Sequence, residues 1–273
     1  MLYDAHNHLQ DERLDAVRED LFTALPALGL KRAVVAGSGV EDWAAVAALA
    51  KRASWVLPSF GVHPWYVKEQ PLDWLEQLRE LLLRHPEAGV GEVGLDRWIE
   101  RPDVPLQLQV FKAQLDLAHE LERPLSIHCL RAWGLMQETL AAAKLPRCGF
   151  LLHSFGGSAE LVPSFVKRGA YFSVSPYFFH PRKAAQLEVF RQVSLDRLLL
   201  ETDAPDMWPP EDSDALKLSD PKGHTLNDPR NIAWIYERVA ALRQIDQQEL
   251  AQQVEENFCR LFGRQVYRTD SAK

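Results

Sequence analysis

Two histidines one residue apart, His6 and His8, stand in "LYDAHNHL" near the start of the chain. Imidazole nitrogens are common metal ligands, and alternate residues of a strand point to the same face. The pair can therefore offer two nitrogens side by side while Asn7 points away. Five further residues hold similar positions after short apolar runs: His63 in "FGVHP", Glu92 in "GEVGLD", His128 in "SIHCL", His153 in "LLHSF" and Asp203 in "LLLETDAP". Singly, each has a bland explanation. A histidine at a strand end is often a hydrogen-bonded rim residue, Glu92 could pair with an arginine, and an Asp before Ala-Pro could form a turn. Together, His6, His8, Glu92, His128, His153 and Asp203 offer nitrogen and oxygen donors from five different apolar runs. Buried carboxylates without partners are costly, so this set calls for cations and predicts a metal site. The alternation that aims His128 inward sends Cys129 away, which argues against a thiolate ligand. The remaining histidines, His85, His119, His180 and His224, fall in predicted helices or loops.

The elements that must position these donors alternate along the whole chain. "LYDAHNH" reads as a strand and "ERLDAVREDLFTALPALG" as the helix after it. "KRAVVAGS", "SWVLPSFGVHP", "AGVGEVGLD", "PLSIHCL", "CGFLLHSF", "AYFSVSP" and "DRLLLETDAP" continue the strands, each followed by an amphipathic stretch. After the eighth strand come two helical stretches, "NDPRNIAWIYERVAALRQ" and "DQQELAQQVEENFCRLFG". Strands that read as apolar runs are covered on both faces. Eight strand-helix units without a compositional break predict an α/β fold, a closed (β/α)8 barrel of TIM type with an extra C-terminal helix, as one domain over residues 1–273. An open doubly wound sheet is the runner-up. In a barrel the carboxyl ends of the strands share one mouth, where active sites lie. All seven residues named above fall there. Residues 204–226 form the longest irregular segment, and so long a loop in a compact domain is usually functional or disordered.

The composition narrows the classes. The chain has 273 residues, 47% of them hydrophobic, and a formal net charge of -7. Proteins that hold nucleic acid by long-range attraction usually present a basic surface, so contact with a polyanion must here be local or metal-mediated. The three cysteines, Cys129, Cys148 and Cys259, have no C-x-x-C spacing and read as reduced core thiols. There is no basic segment leading into an apolar run, and no uninterrupted apolar stretch of the about 18 residues a membrane span needs. The expected location is cytoplasmic, with no membrane partner and no obligate protein partner.

The segments "DAHNHL", "GVHPW", "GEVGLD", "IHCLRA", "HSFGG", "YFSVS", "LLLETDAP" and "NFCRLF" occur in this order. In them the chain resembles the TatD family of metal-dependent deoxyribonucleases, among the amidohydrolase-like barrels. The resemblance runs from residue 4 to about residue 262. It implies two divalent ions: His6, His8, Glu92 and Asp203 as ligands of one, and Glu92, His128 and His153 as ligands of the second, with Glu92 bridging where related barrels use a modified lysine. It also implies hydrolysis of DNA, chiefly as a 3′-5′ exonuclease on single-stranded ends, with some members acting on RNA or in repair. The family arginine two residues after the strand-five histidine stands here three residues after it, at Arg131. A phosphate contact is carried over to that residue.

Two ions roughly 3.5–4 Å apart clamp the attacking and leaving oxygens of a displacement at phosphorus and acidify water. A water between them is the expected nucleophile, with Asp203 as candidate general base, Glu92 holding the ions together, and His63 contacting phosphate or donating to the leaving group. The mixed nitrogen and oxygen donors suit Zn²⁺ or another transition metal, and the family's habit is Mg²⁺, so Mg²⁺ or Mn²⁺ is expected to support activity. Trp65, Trp98, Trp133, Trp208, Tyr177 and Phe178 follow strand ends and could stack bases at roughly 1–3 kcal/mol each. Trp208 is the strongest of these candidates because it lies on the long loop after Asp203, where Lys217, Lys222 and His224 could add positive charge. Asn257 is expected to dock the last helix. DNA ends or nucleotide fragments are the expected substrates. The alternatives are hydrolysis of a small ester, lactone or amide on the same barrel, and a non-catalytic binding protein.

Overall fold

The computed structural model describes residues 1–220 and 222–263. Eight strands form one parallel sheet in sequence order: β1 (Leu2–Asn7), β2 (Leu30–Ala36), β3 (Val56–Phe60), β4 (Gly89–Asp96), β5 (Leu125–Leu130), β6 (Phe150–Leu152), β7 (Ala170–Val174) and β8 (Leu198–Leu200). The sheet curls until β1 meets the segment that follows β8. There the backbone N–H of Asp203 donates to the His6 carbonyl at 2.9 Å, and that of His8 to the Ala204 carbonyl at 2.8 Å. The Asp4 carboxylate adds to this seam by accepting from the Thr202 backbone N–H and hydroxyl at 3.0 and 2.6 Å. The fold is thus the (β/α)8 barrel, not the open sheet. Its closing seam passes directly beneath His6, His8 and Asp203.

Helices α1 (Arg18–Ala27), α2 (Val40–Arg52), α3 (Trp74–Arg84), α4 (Val104–Glu120), α5 (Trp133–Ala142), α6 (Val162–Val166) and α7 (Ala184–Gln192) cross between successive strands, and α8 (Ile232–Arg243) follows β8. Their amphipathic spacing explains their seating. In α3, Leu78 and Leu82, four apart, are fully buried, whereas Leu83 stays exposed. Burying each such leucine contributes about 1.5–3 kcal/mol. The final helix, α9 (Gln247–Phe262), is the addition to the eight units. Asn257 fastens it: its amide donates to the carbonyls of Leu195 at 2.7 Å and Leu198 at 2.8 Å, at the entry to β8.

Several local expectations are corrected. The first helix does not run from residue 12. A 3-10 turn covers Glu12–Leu14, capped by Asp11, whose side chain accepts the Arg13 N–H, and α1 begins at Arg18. Strand six is shorter than read, so His153 lies just beyond it. Glu92, expected to end strand four, sits inside it, because β4 stays paired with β5 as far as Asp96 opposite Leu130. The long segment after β8 carries an antiparallel hairpin, β9 (Lys217–Ser219) with β10 (Thr225–Asn227). It is seated by buried Leu226 and by Asn227, whose amide donates to the Thr202 carbonyl at 2.7 Å. Of the three cysteines only Cys129 is in the core; Cys148 is half-buried and Cys259 exposed. The expected single domain extends over residues 264–273, which lie outside the described residues. Among the described residues no helix is long and apolar enough to cross a membrane.

Candidate metal centre

The barrel brings His6, His8, His63, Glu92, His128, His153 and Asp203 to one place at its carboxyl mouth, all buried or nearly so. Glu92 is the hub, and its two oxygens face two different groups of nitrogens. Oε2 lies 3.3 Å from His6 Nε2 and 3.3 Å from His8 Nε2. Those nitrogens are 3.3 Å apart, and Asp203 Oδ1 stands 3.7 and 3.4 Å from them. Oε1 lies 3.0 Å from His128 Nδ1, 2.8 Å from His153 Nε2 and 3.2 Å from His63 Nε2. His128 Nδ1 and His153 Nε2 are 3.3 Å apart.

These separations suit a metal. Tetrahedral ligands at about 2.1 Å from an ion stand about 3.4 Å from one another. The ring nitrogens have also been prepared by their other hydrogen bonds. His8 Nδ1 donates to the Ala36 carbonyl at 2.8 Å, so the Nε2 lone pair is free toward Glu92. His128 Nε2 donates to Asp96 Oδ2 at 2.9 Å, which frees Nδ1. His6 Nδ1 meets the Ser126 hydroxyl at 2.8 Å. Such outer partners fix tautomer and ring orientation at metal sites. Among the described residues, buried His153 Nδ1 has no hydrogen-bond partner; Glu201 Oε1 is 3.7 Å away. The residues therefore fit divalent ions.

His63 differs from the others. Its Nδ1 accepts the backbone N–H of Trp65 at 3.2 Å, so in the neutral ring the proton sits on Nε2, facing Glu92. Burial pushes its pKa down to about 4, against the pull of Glu92. It is a neutral donor aimed into the cluster, whereas a ligand nitrogen there would have to give up that proton.

The rest of the cluster is strongly polarised. Burial opposes ionisation of Glu92, but the charge of His153 and hydrogen bonds from His128 and His153 hold it well below the ordinary carboxylate range. Asp203 is held at about 2, burial being outweighed by the hydrogen bond from His8 and the charges of His153 and His8. His8 is raised well above the usual imidazole value: burial opposes its charge, but Asp203 and Glu92 prevail. His153 is raised likewise, by Glu92 and Glu201. In His6 burial wins and the pKa falls.

The supporting residues Asp96, Ser126 and Glu201 escaped the reading of the sequence. Asp96 had a signal: it is four residues from Glu92 on one strand, hence on the same face. Glu201 had none, because its partners, the hydroxyls of Ser154 and Ser173, come from other segments. The residues expected to meet substrate are scattered. Arg131 is exposed just past β5, with a left-handed φ of 55°. Trp208 is 39% exposed on the loop after β8. Trp133 packs on Phe155 at 4.9 Å, and Phe178 is buried, so these two serve the core. His224 is paired with Asp220 at 2.8 Å.

A closed barrel with clustered imidazole and carboxylate donors at its mouth is the architecture of a metal-dependent hydrolase. The chain belongs to the TatD family: the profile described as TatD related DNase matches residues 3–263. It is 28% identical over 263 residues to the metal-dependent hydrolase YabD of Bacillus subtilis, covering 96% of this chain and 99% of that protein. It is 30% identical to YjjV of Escherichia coli K12, covering 95% and 97%, and 30% identical to the 3′-5′ ssDNA/RNA exonuclease TatD of Citrobacter koseri, covering 96% and 99%. The crystal structure of E. coli YjjV superposes with a TM-score of 0.86 at 28% identity, over 96% of this chain and 98% of that one. A TatD family hydrolase from Entamoeba histolytica shares the fold, with a TM-score of 0.83 at 18% identity, over 96% and 97%.

Proposed function

We propose that the protein is a two-metal phosphodiesterase that removes nucleotides from the 3′ ends of single-stranded DNA. The observation that carries this reading is the two-sided Glu92, each oxygen of which faces its own set of nitrogens. That arrangement suits a bridging carboxylate between two ions. The 3′-5′ exonuclease name of the Citrobacter relative supports the choice of bond.

His6, His8, Asp203 and Glu92 Oε2 would hold one ion; Glu92 Oε1, His128 and His153 would hold the other. Divalent ions bound there would acidify water and stabilise the attacking and leaving oxygens of displacement at phosphorus. Asp203 remains ionised across the physiological range and is the group that accepts the proton of the attacking water. His63, a neutral ring with its N–H turned inward, hydrogen-bonds a phosphate oxygen. Arg131 stands farther out, as a contact for the rest of the substrate. Mg²⁺ or Mn²⁺ supports turnover, and the histidine-rich donor set also suits Zn²⁺.

The test is incubation with 3′-labelled single-stranded DNA, RNA and a panel of simple esters in the presence of Mg²⁺, Mn²⁺ or Zn²⁺, with Asp203→Asn as control. The expected result is release of labelled nucleotide by the wild type and its loss in the variant. Ester or lactone hydrolysis with no diester cleavage would move the protein to a small-molecule hydrolase. Release that persisted in Asp203→Asn would overturn the assignment of the base.

A further inference from the structure

Several arginines of this acidic chain are neutralised. Arg13, Arg52, Arg79, Arg238 and Arg260 each lie within salt-bridge distance of a carboxylate. Among the described residues Arg84, Arg97, Arg131, Arg168 and Arg182 are exposed with no carboxylate within salt-bridge distance. Of these, Arg97 and Arg131 directly follow the last residues of β4 and β5. They are also neighbours. Asp96 pairs with Leu130 across β4 and β5, and the Arg97 backbone N–H donates to the Leu130 carbonyl at 2.9 Å. Two uncompensated guanidiniums thus extend the two strands that carry Glu92 and His128.

Two indoles flank them. Trp98 is 56% and Trp65 43% exposed, among the few large apolar side chains open to solvent. Neither is loose. The Trp65 indole N–H donates to Asp96 Oδ2 at 2.7 Å, and the Trp98 backbone N–H to Asp96 Oδ1 at 2.6 Å. Asp96 Oδ2 is the same oxygen that accepts from His128. Trp65 also packs edge-on against His63, ring centres 5.1 Å apart. One buried carboxylate therefore ties both aromatic platforms to the metal cluster.

The opposite rim, after β8, offers less to a polyanion. Asp206 and Asp214 are paired with Arg13 and Arg238, Glu211 and Asp212 have no cation within salt-bridge distance among the described residues, Lys217 is turned back onto the Glu211 carbonyl, and Trp208 stands among them.

We infer that Trp65, Arg97, Trp98 and Arg131 form the track for a single-stranded nucleic acid whose end enters the metal cluster, the guanidiniums taking phosphates and the indoles taking bases. This rests on the nuclease reading and gives the strand a direction, over β4 and β5 and away from the acidic loop. Guanidinium forks match phosphate oxygens, and stacking on indoles is indifferent to base identity, so the track is sequence-tolerant.

Binding is measured by fluorescence anisotropy in the Asp203→Asn background, where no turnover intervenes. The probes are a labelled oligothymidylate and an abasic oligonucleotide of equal charge. Trp98→Ala and Trp65→Ala should weaken oligothymidylate at least about fivefold while shifting the abasic probe far less. Arg97→Ala combined with Arg131→Ala should weaken both probes and flatten the slope of log affinity against log salt by about 1.4, since each phosphate contact on a single strand contributes about 0.7. Arg84→Ala, at the far end of α3, is the control. Oligothymidylate affinity within twofold of the parent in all track variants would overturn the inference. So would polyglutamate displacing the probe as well as unlabelled oligothymidylate does, which would make the rim a site for acidic peptides. Failure of the nuclease reading shows separately, as absence of diester cleavage by the wild-type protein.

Discussion

His128 donates through Nε2 to Asp96 at 2.9 Å while its Nδ1 faces Glu92 Oε1 at 3.0 Å. The ring is a bridge between a supporting carboxylate and the hub of the cluster, and the support decides which nitrogen is free. Asp96→Asn weakens that support with little change of shape. It should lower metal affinity about 10–100-fold, measured by competition with a chelator of known affinity. Unchanged affinity would mean that β5 alone orients the ring.

The metal-free cluster sets a pH dependence of stability. His8 and His153 have raised folded pKa values, so their contribution is complete below about 6.5 and is lost as pH rises through the folded values. Asp4, raised to about 7 by burial despite its hydrogen bonds, has the same sign: the folded state keeps a proton that the unfolded chain has released. Asp203 and Glu92 are lowered, and their contribution is lost only in acid, below about pH 4. His6 and His63, whose values are lowered, act the other way but only below about pH 6.5, so in excess EDTA the urea midpoint should be higher at pH 5.5 than at pH 8.5. His8→Ala should flatten the difference. Added metal should reverse the trend, because ligand nitrogens must lose protons to bind it. A midpoint that rose with pH in EDTA would contradict the charge assignment.

Gly94 has φ 146°, and a Cβ there would lie 1.9 Å from the His128 carbonyl oxygen. Gly94→Ala must force β4 from β5 between Glu92 and His128. The expected cost is more than about 3 kcal/mol, or failure to fold. Equilibrium urea unfolding measures it, and a loss below about 1 kcal/mol would show that the backbone yields at this point.

Asn257 acts far from the cluster. Asn257→Ala leaves two carbonyls at the entry to β8 without their donor, which should cost about 1–3 kcal/mol. Metal content measured by elemental analysis should not change. Loss of metal with full stability would give this residue another role.

Much of the barrel was legible in the chain itself, because alternation of apolar runs and amphipathic stretches is a local property. The same locality identified the donors: even spacing puts His6 and His8 on one face, and strand ends share one mouth. Tertiary structure decided the rest. The partnership of Asp96 with His128 depends on the register of β4 against β5, 32 residues apart in sequence. The two-sided use of Glu92 depends on which strands flank it once the sheet has closed. His63 looks like its neighbours in sequence, yet the Trp65 backbone N–H turns its proton inward. Composition made the protein acidic without revealing that, among the described residues, Arg97 and Arg131 have no carboxylate within salt-bridge distance. Periodicity is carried by neighbouring residues, whereas register, tautomer and charge pairing are settled by groups that meet only when the fold is complete.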